Sequence, residues 1–130
     1  MLTVTREGAE NQPSRPIRIA RCGGVVIDDA AIAEAGRLLA RHAASPARVV
    51  LFGSRARKEG RPDSDLDFLV IEERVESKLD EMVRLRDVLA ELDVPVDVVV
   101  VSREEAERNR LRPGSLVRRA LAEGRVLVEP

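Results

Sequence analysis

Apolar residues follow two different spacings along this chain, and their alternation predicts a domain that contains both helices and strands. Within the segment 28–43, apolar residues recur every three or four positions, which predicts an amphipathic first helix. A second helical stripe covers the segment 77–93, where Ser77 and Asp80 also have the spacing of a capping box. Two shorter helices are predicted further along, each opening at a serine. The helices therefore alternate with other elements.

Continuous apolar runs predict the strands. They cover residues 49–52, 66–71 and 94–101, and a shorter run at 126–128 predicts a final strand. The connection between the first two runs is short for a parallel crossover, so we expect those strands to be antiparallel. A helix separates the second and third runs, which predicts a right-handed parallel crossover. The expected fold is α/β (α+β), a small mixed β-sheet flanked by helices.

The chain length is that of one domain. Its 130 residues can bury a substantial core but leave little room for a second domain. Residues 1–24 mix proline, glycine and charged residues without sustained periodicity, so we expect a loosely structured lead-in in which the segment 17–20 is a candidate edge strand. The single domain is expected to cover residues 25–130.

Composition excludes several classes of function. The net charge is −1 and phenylalanine, present twice, is the only aromatic residue type, so direct binding of nucleic acid is not expected. One cysteine and one histidine cannot build a disulfide or an ordinary zinc site within one chain, so any metal must be bound by oxygen. The longest apolar runs are too short to span a membrane, and a cytoplasmic location is expected.

Candidate chemistry lies where two predicted strands meet their connection. The first strand ends at Gly53-Ser54, and the second begins with Asp65 and Asp67. Residues i and i+2 of a strand point to the same face, so the two carboxylates are expected to lie side by side and could bind a divalent cation such as Mg²⁺. A glycine turn allows backbone N–H groups to approach an anion, and the serine hydroxyl can bind a phosphate oxygen.

The predicted topology brings a third acid to the same place. Asp97 stands near the start of the third strand, between Val96 and Val98. If that strand is parallel to the second, Asp97 lies at the same end of the sheet as Asp67 and can share a face with it. Considered alone, Asp97 is more simply interpreted as a surface acid on an edge strand.

These residues resemble a known active-site signature. Gly53-Ser54, ten intervening residues, Asp65-Leu66-Asp67 and later Val96-Asp97-Val98 are similar to the signature of the DNA polymerase beta-like nucleotidyltransferase superfamily. The sequence around these residues, over roughly residues 48–101, resembles the small prokaryotic branch of this superfamily, the minimal nucleotidyltransferases. Several members of that branch are antitoxins of HEPN-domain toxins.

The resemblance implies a role for each residue. Asp65, Asp67 and Asp97 would be catalytic and would bind two Mg²⁺ ions, for which Mn²⁺ could substitute. Gly53 and Ser54 would hold the phosphates of the nucleotide. Two further candidate nucleotide contacts follow from position alone, because they flank this signature: Arg55 and Ser64. Arg57 and Lys58 complete the basic turn, which could equally be a solvated surface loop.

The implied activity is transfer of AMP from ATP to a hydroxyl group. The small size favours a protein acceptor, a HEPN-type toxin of a toxin–antitoxin pair, because relatives with a larger second domain use it to bind the acceptor. Two alternatives stay open. One is a small-molecule nucleotidyltransferase of the aminoglycoside-modifying type, with a pocket completed by a homo- or hetero-oligomer. The other is an antitoxin that only binds its partner and has no catalytic role.

Overall fold

Helices and strands alternate along the part of the chain that the computed structural model describes, which comprises residues 28–56, 65–92 and 94–130. The predicted lead-in and its candidate strand lie outside these ranges. Within them, no helix has the length and apolar character needed to cross a membrane. The elements are α1 (Asp29–His42), β1 (Ala47–Phe52), β2 (Leu66–Glu72), α2 (Lys78–Val88), β3 (Val96–Ser102), α3 (Arg103–Asn109), α4 (Leu116–Glu123) and β4 (Arg125–Val128).

The strands form one mixed sheet in the order β3-β2-β1-β4. Strand β1 is antiparallel to both of its neighbours, β2 and β4. Strands β2 and β3 are parallel and are connected through α2. The mixed α/β fold and both predicted strand directions are therefore confirmed. As a result, the end of β1 and the starts of β2 and β3 lie at one edge of the sheet.

Helices cover both faces of the sheet, so the strands are buried on two sides, as their continuous apolar runs predicted. Helices α1 and α2 pack on one face through Ile32, Leu39 and Leu85, against a row that includes Phe68 and Val100. Helices α3 and α4 pack on the opposite face through a second, smaller cluster of side chains, which comprises Ala106, Val117 and Ala120 with Val50, Phe52, Leu69 and Val101. Every strand residue is thus assigned to one face by its alternation.

Local sequence signals fix the ends of several helices. The Asp28 carboxylate accepts a hydrogen bond from the Ala31 backbone N–H at 2.8 Å and so caps α1. Ser102 and Ser115 cap α3 and α4 in the same way. Helix α1 also lies unusually close to β4, because a Cβ atom at Gly36 would come within 2.9 Å of the Leu127 side chain. The glycine therefore allows the helix to pack directly on the sheet.

Helix α2 differs from its prediction at both ends. The Ser77 hydroxyl makes no capping hydrogen bond; only its carbonyl, which accepts from the Glu81 N–H, joins the helix, so the predicted capping box is absent. The helix also ends at Val88, five residues before the predicted end at Asp93, which itself lies outside the described residues. Turn hydrogen bonds, such as Leu92 N–H to Leu89 C=O, replace the helical ones and keep Leu92 buried as the chain approaches β3.

Candidate functional site

Three strands bring their polar residues to one edge of the sheet. Phe52, the last residue of β1, pairs with Asp67 of β2. Asp67 in turn pairs with Asp97 of β3 in the parallel register. Neighbouring strands are about 4.8 Å apart, so the two carboxylates start from adjacent backbone positions and point to the same face. The predicted convergence of Asp67 and Asp97 is therefore confirmed at the level of strand register.

The turn after β1 is built around Gly53, which has a φ of +82°. This left-handed conformation strongly favours glycine. A Cβ atom at this position would also collide with the Asp67 carboxylate oxygen Oδ2. The turn is closed by a 3.1 Å hydrogen bond from the Ala56 N–H to the Gly53 carbonyl. Gly53 therefore has two functions in the fold: it reverses the chain, and it leaves room for the Asp67 carboxylate.

The carboxylates repel one another. Burial raises the pKa of Asp67, and the nearby charges of Asp97 and then Asp65 raise it further. Among the described residues, no lysine or arginine forms an ion pair with any of these three acids. A cation that binds between the acids would relieve the repulsion, and this edge of the sheet is accordingly a place where added positive charge is favoured.

A cavity of about 300 Å³ opens beside Asp67 and Asp97. Its far wall is formed by one side of α2, where Leu79 is 70% exposed and Val83 is 47% exposed. The remaining lining residues are Phe52, Met82, Arg86, Val98, Val99 and Leu116. The acids thus lie next to an apolar surface that the described chain leaves open to solvent.

The other predicted site residues have different placements. Asp65 is exposed and immediately precedes β2, at the same edge of the sheet. Ser54 and Arg55 are half-buried in the turn that follows β1. Ser64 lies outside the described residues, as do Arg57 and Lys58. The assignment of individual residues to phosphate, base or metal therefore stays a prediction.

The side chains present suit a hard divalent cation by their chemistry, because they supply carboxylate oxygen atoms only. In the ranges that the structure describes, however, no three acidic, histidine or cysteine side chains are already arranged as a set of metal ligands. Asp67 and Asp97 are adjacent through the backbone register, so their carboxylates extend from neighbouring positions on two strands. Mg²⁺ also takes several ligands from water and substrate phosphates, so a complete protein cage is not required.

Sequence reasoning missed the wall of the cavity on α2. The helical stripe that predicted this helix, which includes Leu85 and Leu89, is the one that packs into the core. Leu79 and Val83 form a second pair four residues apart on the neighbouring side of the same helix. Arg86 follows on that side and reaches the same cavity. An apolar pair outside the core stripe was the signal that could have indicated this surface.

Comparison with known proteins agrees with the geometry. The sequence model of the nucleotidyltransferase domain family matches residues 35–128. A solved toxin–antitoxin structure with AMP-PNP shares 21% identity, covers 75% of this chain and 73% of its own, and superposes with a TM-score of 0.50. A candidate nucleotidyltransferase from Sulfolobus solfataricus shares 20% identity over 75% of this chain and 77% of its own, with a TM-score of 0.51. No curated protein sequence matches the chain.

Proposed function

This chain belongs to the nucleotidyltransferase domain family, and we propose that it transfers AMP from ATP to a hydroxyl group of a partner protein. The single observation that carries the proposal is the row of paired residues Phe52, Asp67 and Asp97 across three strands. This row places two carboxylates directly beside the Gly53 turn, although the three segments are separated in sequence. Such an arrangement suits chemistry on a phosphate chain that carries metal ions.

Each residue has a proposed task in the reaction. Gly53 and Ser54 hold the β- and γ-phosphates, and Asp65, Asp67 and Asp97 hold the divalent cations. When bound, the cations stabilise negative charge on the attacking and leaving oxygen atoms. The acceptor hydroxyl loses its proton, with Asp97 placed to receive it, and its oxygen forms a bond to the α-phosphorus. The bond between the α-phosphorus and the bridging oxygen breaks, and pyrophosphate leaves.

Two observations support a protein as the acceptor. The exposed side chains of Leu79 and Val83 line the same cavity as Asp67 and Asp97, and an apolar surface of this kind is typical of a protein contact. The fold neighbour crystallised with AMP-PNP is a toxin–antitoxin, which supports both an adenine nucleotide and an antitoxin role. From the resemblance to the minimal nucleotidyltransferases, we further infer that the partner is a HEPN-type toxin and that the reaction uses Mg²⁺.

The test measures whether a labelled nucleotide becomes covalently attached to a protein. Purified protein is incubated with Mg²⁺ and a soluble extract of the source cells, in one reaction with ATP labelled at the α-phosphate and in another with ATP labelled at the γ-phosphate. We expect one protein band to take label from the α-phosphate only. The Asp65→Asn/Asp67→Asn double variant should give no band, while the charge-matched Asp87→Asn variant, changed at an exposed position on α2, should label the band as wild type does.

Other outcomes would separate the alternatives. Label transferred from the γ-phosphate would contradict nucleotidyl transfer. Release of pyrophosphate that depends on a soluble hydroxyl compound, with no labelled protein, would favour a small-molecule substrate. If the double variant still neutralises its partner in cells and no transfer is detected for wild type, the chain acts by binding alone.

A further inference from the structure

One side of α2, separate from the side that packs into the core, faces the cavity beside Asp67 and Asp97. Four side chains of this side line the cavity and form the α2 strip: Leu79, Met82, Val83 and Arg86. Their spacing of i, i+3, i+4 and i+7 places them in one continuous row along the helix. Leu79 and Val83 are nevertheless exposed to solvent. An exposed apolar row beside a reactive site indicates a surface where a substrate or partner binds.

The course of α2 places the two ends of the strip at different distances from the acids. Strands β2 and β3 both start at the edge of the sheet that carries the acids, and α2 connects the far end of β2 to the start of β3. The helix therefore runs back toward that edge. Arg86, in the last turn of α2, lies closest to the acids. Leu79 lies about 10 Å further back, because each helical residue adds about 1.5 Å.

The order of the strands separates the α2 strip from the proposed phosphate turn. Gly53 and Ser54 follow β1, whereas α2 packs against β3, and β2 with Asp67 lies between those two strands. Neighbouring strands are about 4.8 Å apart, so β1 and β3 are about 10 Å apart across the row. Phosphates held at the turn therefore lie on the β1 side of the site. The strip lies on the opposite side, that of Asp97, the proposed proton acceptor.

Arg86 gives the strip a positive end. Its side chain is exposed, and in the ranges that the structure describes it forms no ion pair, although Asp67 and Asp97 line the same cavity. A guanidinium group binds a carboxylate through two parallel N–H···O hydrogen bonds. A carboxylate on the acceptor is attracted to Arg86 and repelled by the two acids. These opposite charges therefore favour one orientation of the acceptor in the cavity.

We propose that the α2 strip selects the acceptor, a segment of the partner protein that carries a carboxylate and an apolar side chain on one side of the hydroxyl group that receives AMP. The inference rests on the proposed transfer to a protein. The carboxylate pairs with Arg86, and the apolar side chain packs on Leu79 and Val83. The distance of about 10 Å between these contacts corresponds to about three residues of extended chain. The strip holds the acceptor away from the reacting atoms, so it affects binding more than the chemical step.

The first experiment tests the apolar part of the strip. The acceptor protein identified by the labelled band is purified, and initial rates of AMP transfer are measured while its concentration and that of ATP are varied in turn. Leu79→Ser should raise the KM of the acceptor at least about tenfold, keep kcat within about threefold and leave the KM of ATP unchanged. Leu111→Ser is the matched control, because Leu111 is 71% exposed, Leu79 is 70% exposed, and only Leu79 lines the cavity. The control should keep both KM values.

The second experiment tests the charged end of the strip by exchanging charges. Arg86→Glu should raise the KM of the acceptor at least about tenfold, whereas Arg118→Glu, the same change at an exposed position on α4, should not. Acidic residues of the acceptor within about five positions of the labelled hydroxyl are then changed to lysine one at a time. We expect one such change to weaken transfer by wild type and to restore transfer by Arg86→Glu to within about threefold of the unchanged pair.

The outcomes distinguish this inference from the proposed function. An unchanged acceptor KM in Leu79→Ser and Arg86→Glu, or equal effects of these variants and their controls, would overturn the inference and leave AMP transfer intact. An effect confined to the KM of ATP would assign the strip to the nucleotide and also overturn it. Absence of rescue by every lysine substitution would overturn the pairing with Arg86. If wild type labels no protein, the proposed transfer to a protein and this inference are both wrong.

Discussion

The two ends of strand β2 both place carboxyl groups close together, but they balance the resulting charge in different ways. At the Glu72 end, Arg84 and a backbone N–H of the chain itself stabilise Glu81, the acid beside Glu72. At the Asp67 end, the described residues form no ion pair with the acids, and burial, together with the two neighbouring carboxylates, raises the pKa of Asp67. The acids at the Glu72 end are therefore balanced largely by groups of the chain itself, whereas the acids at the Asp67 end require a cation from solution.

The two ends of β2 also differ in how far their carboxyl groups are exposed to solvent. Asp65 and Asp97 are exposed and Asp67 is half-buried, so hydrated cations and phosphates can reach them. Glu72 is fully buried, and both oxygen atoms of its carboxyl group are shielded from solvent. A reactive site must exchange substrate and metal with solvent, whereas the buried pair mainly affects how firmly α2 is held to the sheet. A change at one end of β2 should therefore leave the other end largely unaffected.

The largest expected effect is on activity at the Asp67 end. We expect Asp97→Asn to lower kcat/KM for AMP transfer by about 10²–10⁴-fold, because it removes a proposed metal ligand and proton acceptor. Asp87→Asn, an exposed change of the same charge on α2, should keep activity within about threefold. The measurement is the initial rate of label transfer at several ATP concentrations. An Asp97→Asn variant with near wild-type rates would remove Asp97 from the mechanism.

The next effect concerns stability at the Glu72 end. Burial and the hydrogen bond to Glu81 raise the pKa of Glu72 in the folded state from 4.5 to about 8, so the folded protein holds a proton that the unfolded chain releases. The free energy of unfolding should therefore fall between about pH 4.5 and about pH 8, by on the order of a few kcal/mol. Glu81 has a lowered pKa, so its contribution is lost only as the pH falls below its ordinary value, which is a separate range.

Urea unfolding at a series of pH values, in buffers without amines, measures this dependence. Glu72→Gln should flatten the curve between about pH 5 and about pH 8, while Glu76→Gln should leave its slope unchanged because Glu76 is exposed. A wild-type curve that rises over this range would show that Glu72 is ionised in the folded protein. AMP transfer offers a further check, since a change confined to one end of β2 should leave kcat at the other end largely intact.

A third prediction concerns the fit between Gly53 and Asp67. Gly53→Ala introduces a methyl group where the Asp67 carboxylate lies, in a backbone conformation that disfavours a side chain. We expect about a 10–100-fold loss of AMP transfer and a loss of stability of about 1–2 kcal/mol. Gly114→Ala is the matched control, because Gly114 has a φ of +80° but a Cβ atom there would meet no other atom within 4 Å. It should share the loss of stability and retain activity.

The sequence allowed much of the fold to be predicted because its signals were local. Continuous apolar runs marked β1 and β2, and the short connection between them indicated their antiparallel pairing, which is confirmed. The Asp67–Asp97 pairing also followed from topology together with strand alternation. The domain boundaries and the roles of single residues such as Ser64 stay predictions.

Features that depend on packing between distant segments could not be predicted. Ser77 and Asp80 have the spacing of a capping box, but the backbone around Ser77 does not bring its hydroxyl to the helix. Nothing in the sequence around Glu72 indicates burial of a charge, because an acid at the end of a strand is usually solvated. One donor to Glu81, the Ala44 N–H, lies in the loop after α1 and is 37 residues from Glu81 in the sequence. The other, Arg84, lies on α2 itself. Their meeting depends on the tertiary structure.

The smallest expected effect is on stability and concerns Asp67. It tests whether the negative charge of the Asp67 carboxylate destabilises the folded state. A raised pKa means that the folded state binds a proton more tightly than the unfolded chain, so ionisation above the ordinary value of 3.8 lowers stability, and the full cost is present at neutral pH. Asp67→Asn removes that cost. Without divalent cations, we expect this variant to be slightly more stable than wild type at about pH 7.

Added Mg²⁺ should make wild type more stable than Asp67→Asn. Binding to the folded state alone stabilises wild type in proportion to the logarithm of metal concentration, and Asp67→Asn should gain less because it lacks one ligand. Thermal unfolding with EDTA and then with increasing Mg²⁺ measures both effects, and Asp87→Asn serves as a control that should gain as much as wild type. If Asp67→Asn were less stable than wild type in EDTA, the carboxylate would be making a favourable contact, and the two ends of β2 would be balanced by the same means.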